Sequence, residues 1–170
     1  KSRLSIRKED FDGFRENLFL KRDNTSRKDE QSLRFKTNWL INETTSLDLV
    51  YFDNDFDDPA DIWTIDGSLN TLSDRPGMDS QDSNAFGINL EFINQFNSLK
   101  VLYSETDTDV VFSYDADWGN AYSHFPYVYD YFSETLRKRE TSNFELRLLS
   151  NESGTTFADQ IQWIVGISFY

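Results

Sequence analysis

The 170-residue sequence contains no cysteine, one histidine, one methionine and three prolines. The absence of cysteine excludes a disulfide scaffold, a thiolate metal site and cysteine catalysis. The single histidine, His124, leaves no His-based triad or His-based metal site to assemble. Because no catalytic constellation or glycine-rich phosphate loop is present either, we expect a protein that is not an enzyme.

Long apolar runs are also absent, and none approaches the ~18 residues of a membrane-spanning helix. This absence does not exclude the strands of a membrane barrel, because their apolar and polar residues alternate. The acids outnumber the bases, 30 to 17, and the formal net charge is −13. A charge of this sign argues against nucleic acid as a partner, since phosphate contacts need a basic surface.

The acidic residues are concentrated in two segments. Residues 53–82 contain nine aspartates and one basic residue, Arg75, and residues 105–134 contain seven acids and no basic residue. All three prolines fall in the same two segments. Acids combined with proline and glycine are typical of loops, so we expect the acidity to belong to two long loops.

Elsewhere, apolar and polar residues alternate with a period of two, as in Trp163, Val165, Ile167 and Phe169. This period predicts half-buried β-strands rather than helices. We expect seven strands, near 2–10, 31–41, 46–53, 84–94, 98–112, 136–150 and 160–170.

The connections between these strands alternate in length. Residues 42–46, 94–98 and 151–159 are short links, whereas 11–30, 53–83 and 105–135 are long. This alternation, with aromatic residues at both strand ends (Trp39, Phe92 and Trp163; Tyr51, Phe86 and Tyr103), is typical of an outer-membrane barrel. We therefore predict an all-β fold: an antiparallel meander of about seven strands, part of a transmembrane β-barrel with long extracellular loops. A β-sandwich is the alternative.

Single-chain bacterial barrels have an even number of strands, from eight upward. An eighth strand at 14–22 would make a small complete barrel possible. The last predicted strand argues against a complete barrel. The closing strand of an outer-membrane barrel normally has an aromatic last residue and apolar residues at every second position before it. Here the residues two and four positions before Tyr170 are Ser168 and Gly166. We expect residues 1–170 to be a segment of a larger barrel.

Several stretches resemble the barrel of TonB-dependent outer-membrane receptors. They are the opening residues 4–17, with Asp12-Gly13 and Asn17, the segment 114–120, and the pair formed by 145–150 and 163–167. The resemblance implies a partial receptor barrel without its plug domain, in the bacterial outer membrane. It implies uptake of a scarce nutrient, with an iron–siderophore complex favoured and cobalamin or an oligosaccharide also open. The implied partners are TonB, reached through the plug region, and outer-membrane lipid with lipopolysaccharide.

Two groups of residues are candidates for binding. The aspartates at alternating positions, Asp53, Asp55 and Asp57, with Asp61, resemble the first half of a calcium loop; a solvated acidic loop is the alternative. Aromatic residues of the second acidic segment would contact a ligand or pack on one another: Trp118, Tyr122, His124, Tyr127 and Tyr129. The same aromatic residues would serve a different class of protein, a β-sandwich module that binds carbohydrate.

Overall fold

The computed structural model describes residues 1–156 and 161–170. Seven long strands form one antiparallel sheet in the order β1-β3-β4-β6-β7-β8-β9, and two short strands, β2 and β5, form a second, two-stranded sheet. The strands are β1 (Ser2–Phe11), β2 (Glu16–Asn17), β3 (Lys28–Asn42), β4 (Thr45–Pro59), β5 (Asn70–Thr71), β6 (Met78–Ile93), β7 (Asn97–Asp115), β8 (Phe132–Ser150) and β9 (Ile164–Phe169). The all-β fold with a seven-stranded antiparallel meander is confirmed.

Short and long connections lie at opposite ends of the sheet. Residues 43–44 and 94–96 make tight links, whereas the opposite end carries loop 1 (12–27), loop 2 (60–77) and loop 3 (116–131). The predicted short link 151–159 contains one turn of 3-10 helix, Glu152–Gly154, and its residues 157–159 lie outside the described part of the chain, as does Gln160 of the last predicted strand. No helix in the described residues has the length and apolarity needed to cross a bilayer.

The prediction that the acidity belongs to two long loops is wrong at the loop boundaries. The β4 strand continues to Pro59, β6 begins at Met78 and β7 continues to Asp115, so many of the acids belong to paired strands. Asp55, Asp82 and Asp109, for example, lie in one hydrogen-bonded row across β4, β6 and β7. Composition suggested loops there, but the backbone pairing extends through the acidic residues, and these three aspartates lie on the same face of the sheet.

The structure contradicts the alternative of an eighth strand at 14–22, on which a small complete barrel would depend. Within that segment only Glu16–Asn17 is a strand, and it pairs in parallel with Asn70–Thr71 of loop 2 rather than with the main sheet. The main sheet is open in the described residues, since its edge strands β1 and β9 do not pair with each other.

One face of the sheet is apolar and exposed. Residues paired across strands share a face, and one such row contains only apolar side chains: Trp39, Leu47, Leu90, Val101, Leu146 and Ile167. Trp39 is 62% exposed and Ile167 is 51% exposed. In the described chain no second layer covers this face, as a β-sandwich would require.

Aromatic side chains border the apolar face on the side of the long loops. Tyr51 pairs with Phe86, and Tyr103 pairs with Phe144. Acids follow directly: the Tyr51 hydroxyl donates to Asp53 Oδ2 (3.1 Å) and the Tyr103 hydroxyl to Glu105 Oε2 (3.0 Å). The aromatic border therefore shifts by one row between β6 and β7, because Phe86 pairs with Glu105.

Candidate functional site

The three long loops form one cluster with a polar core. Asn17 Nδ2 in loop 1 donates to Asp61 Oδ2 (2.8 Å) and to the Ser73 carbonyl (2.8 Å), both in loop 2. Thr71 Oγ1 donates to the same Asp61 oxygen at 2.9 Å. Asn17, Thr71 and Ser73 are the largest fully buried side chains in the described residues. The most buried part of the molecule is thus a hydrogen-bonded contact between loops.

Asp61 carries the titratable group of this core. Burial raises the pKa of its carboxyl above the usual range, while the hydrogen bonds from Asn17 and Thr71 and the charges of Arg15 and Arg22 oppose that rise. Asp61 therefore holds loops 1 and 2 together as an acceptor whose ionised form is disfavoured by burial.

Loop 2 is joined to loop 3 as well. The Asp74 amide donates to the Gly119 carbonyl (2.8 Å), and Asn120 Nδ2 donates to the Leu72 carbonyl (2.9 Å). Burial raises the pKa of Asp74, and the carboxylates of Asp117 and Asp130 raise it further. Loop 2 is therefore held from both sides, by loop 1 and by loop 3.

An apolar cavity of about 510 Å³ lies where loops 1 and 2 meet the end of the sheet. Its walls include five large apolar side chains: Phe11, Phe14, Ile62, Trp63 and Phe112. The lining also contains three cations and two anions, of which Lys28 and Asp58 form an ion pair; the other three are Arg15, Arg27 and Asp79. Apolar walls with a few polar groups are typical of small-molecule sites.

The sequence did not reveal this cavity. Its residues come from β1, loop 1, β3, β4, loop 2, β6 and β7, and only the strand register brings them together. Phe11 pairs with Lys28, and Asp79 pairs with Phe112. The one signal available was that aromatic residues accompany the loop-side ends of several strands.

The predicted ligand-binding residues Trp118, Tyr122, His124, Tyr127 and Tyr129 all lie in loop 3. Tyr129 is central: its ring centroid lies 5.2 Å from His124, 6.5 Å from Tyr127 and 5.9 Å from Tyr131. The His124 ring also contacts the Asp117 carbonyl through Nε2 (3.0 Å). Some of these rings therefore pack on one another, which is one of the two alternatives for the loop 3 aromatics; the other is contact with a ligand.

The other predicted aromatics stand apart from this stack. Tyr122 is 80% exposed, and Trp118 has a backbone φ of +60° and is 42% exposed. We call His124, Tyr127, Tyr129 and Tyr131 the loop 3 stack. Near the apolar cavity, Tyr114 of β7 packs on two of the lining residues, Trp63 (5.0 Å between ring centroids) and Phe112 (5.7 Å).

The structure separates the four aspartates suggested as calcium ligands. Asp53, Asp55 and Asp57 occupy every second position of β4 and lie on the same side of the sheet as the apolar row. Asp61 is buried between loops 1 and 2. Asp57 receives a hydrogen bond from Arg27 (3.1 Å). In the described part of the chain, no three acidic or histidine side chains come together as a metal-holding group. Calcium binding stays a prediction, but these four residues are not one site.

No protein-family model matches the chain, and neither a curated protein nor a solved structure matches it. The geometry of the sheet and its loop cluster is therefore what bears on function.

Proposed function

We propose that this chain is part of the barrel of an outer-membrane receptor of the TonB-dependent type, which takes up a scarce nutrient. The observation that carries the proposal is the two-sided sheet. Its apolar face ends at the aromatic border, and the opposite face, the polar face, carries side chains such as Arg34, Lys36 and Asn89. Its long loops join into one cluster at one end of the sheet.

The apolar face supports contact with lipid. Large exposed apolar side chains are spread over this face from β3 to β9, including Phe35, Phe92 and Val165. An apolar face of this extent is not stable in water without a partner surface. Acyl chains bordered by aromatic residues at the headgroup level would satisfy it.

The loop cluster supports a receptor rather than a purely structural barrel. The apolar cavity and the loop 3 stack give the long-loop end of the sheet two surfaces for a ligand. An iron–siderophore complex is the favoured cargo from the resemblance, with cobalamin or an oligosaccharide as alternatives. Energy would come from TonB through a plug region, and the outward carboxylates would face lipopolysaccharide.

The test compares the two faces with one substitution each. Ile88 lies on the apolar face and Thr106 on the polar face. The substitutions are made in the polypeptide as the source cell produces it. A lipid-facing arginine at position 88 should destabilise the protein in the bilayer by ~2–4 kcal/mol, so the Ile88→Arg variant should disappear from the outer-membrane fraction. Thr106→Arg should assemble normally. Equal recovery of both variants in that fraction would refute the membrane assignment.

A second candidate function is carbohydrate binding by a protein that is not in the membrane. The exposed tyrosine rings of the loop 3 stack favour it, since sugars stack on aromatic faces. Under this alternative the protein stays in solution without detergent, and Ile88→Arg affects folding alone.

A further inference from the structure

A second cavity, of about 380 Å³, opens on the polar face of the main sheet. Its lining comes from five neighbouring strands, β3, β4, β6, β7 and β8, and includes Arg34, Lys36, Asp48, Asn89 and Asn143. We call it the wall cavity. It is distinct from the apolar cavity beneath the loops, and it shares no lining residue with it.

Cations without an acidic partner lie on one side of the wall cavity. Arg34 and Lys36 form no ion pair with a described carboxylate, whereas Lys100, on the same face, pairs with Glu91 at 3.0 Å. Arg3 lies opposite Lys36 in the register and lines an adjoining cavity of about 330 Å³ with Arg34 and Lys36. Like charges directly opposite each other are unfavourable. An anion placed between them would relieve that repulsion.

Hydrogen-bond acceptors without a donor lie on the other side. Asn89 Oδ1 and Asn143 Oδ1 are buried atoms that have no hydrogen-bond partner. Buried acceptors of this kind are uncommon, and a bound hydroxyl group would satisfy them. Asp48 is the one carboxylate in the lining, and its two oxygens already accept from Asn38 (2.8 Å) and Asn89 (3.3 Å).

Between the two sides the lining is apolar and open. Val50 and Leu102 supply apolar surface, and Gly87 supplies room, because a Cβ at this position would lie 2.9 Å from Val50 Cγ1. We propose that the wall cavity binds an anionic, hydroxyl-bearing solute, a sugar acid or a sugar phosphate. The inference rests on the proposed function, because it places this solute on the inner wall of the receptor.

The experiment uses three probes that share one ring: glucuronate, glucose 6-phosphate and glucose. Binding to the native polypeptide, purified in detergent, is measured by titration calorimetry. We expect at least one anionic probe to bind about tenfold more tightly than glucose, with an affinity that falls as salt is added. A preference for glucuronate identifies a carboxylate site, and one for glucose 6-phosphate a phosphate site. Equal binding of all three probes, or none, overturns the proposal.

Matched variants locate the site. Replacing Arg34 and Lys36 together with Gln should weaken the anionic probe at least about tenfold, and Gly87→Val should weaken it by filling the cavity. The control replaces Arg137 and Arg139 of β8, which lie outside the cavity, with Gln. It removes the same amount of charge and should change the affinity for the anionic probe by less than about twofold. An equal loss in the two double variants would assign binding to net charge and refute the site. Recovery of each variant in the outer-membrane fraction is scored separately, so a failure of the receptor assignment is recognised independently.

Discussion

Asn17 and Asp61 lie 44 positions apart in the chain, and a 2.8 Å hydrogen bond joins their side chains in the most buried part of the described structure. The same Asn17 amide reaches the Ser73 carbonyl, so one side chain holds loop 1 against two points of loop 2. Since loop 2 is also bonded to loop 3, the three loops are expected to open together rather than one at a time.

Asn17→Ala tests this coupling. The change leaves Asp61 Oδ2 with one donor fewer and the Ser73 carbonyl without this donor, which should cost the loop cluster ~1–3 kcal/mol. We expect faster amide hydrogen exchange in all three loops and unchanged exchange in the main sheet. Asn24→Ala, at an exposed position of the same loop, is the control. Faster exchange confined to loop 1 would contradict the coupling.

The loop cluster should also respond to pH through Asp61. Its pKa is raised in the folded protein, chiefly by burial, so the folded state holds the proton more tightly than the unfolded chain. Stability then falls as the pH rises through the interval between the unfolded and folded pKa values, and it is recovered on acidification.

Asp61→Asn checks that assignment. The neutral amide keeps an acceptor for Thr71 and Asn17 and removes the titration, so loop protection factors corrected for intrinsic exchange should depend less steeply on pH. Asp74 and Asp115 have raised pKa values for the same main reason, burial, and the remaining slope should come from them. A variant with the wild-type slope would show that Asp61 is not the responsible group.

Two glycines of loop 2 should differ sharply in their tolerance of a methyl group. A Cβ on Gly77 would lie 1.8 Å from the Ser113 carbonyl oxygen, a backbone atom that cannot move aside without disturbing β7. Gly67 has a φ of +71° and nothing within 4 Å of such a Cβ. Gly67→Ala should therefore destabilise the protein by ~1 kcal/mol through backbone strain. Gly77→Ala should lower the stability by a clearly larger amount. Thermal unfolding of both variants in detergent measures the difference. Equal midpoints for the two variants would contradict the close approach at Gly77.

The sequence predicted the sheet better than the loops because alternation is a local property. Phe86, Ile88, Leu90 and Phe92 already show the period of a strand in the sequence, and the structure places them in β6. The loop-side strand ends were missed since residues such as Asp55 and Asp82 have the composition of a loop. Their pairing depends on strand register, which composition does not encode.

The candidate sites were predictable only in part. The loop 3 aromatics are close in sequence, and a local count was enough to select them. The contact between Asn17 and Asp61 and the lining of the wall cavity join residues from distant strands and loops. No local pattern marks such a set, because each member alone is an ordinary polar or apolar residue.

The acids at the loop-side ends of β4, β6 and β7, such as Asp53, Asp55 and Asp109, point away from the face that holds Arg34 and Lys36. The sheet therefore separates charge across its thickness and acts as a dipole layer, with these acids on one face and the cations Arg34 and Lys36 on the other. A solute beside Arg34 and Lys36 meets positive charge, although the net charge of the chain is −13. The isoelectric point of such a wall is consequently a poor guide to the ions it attracts.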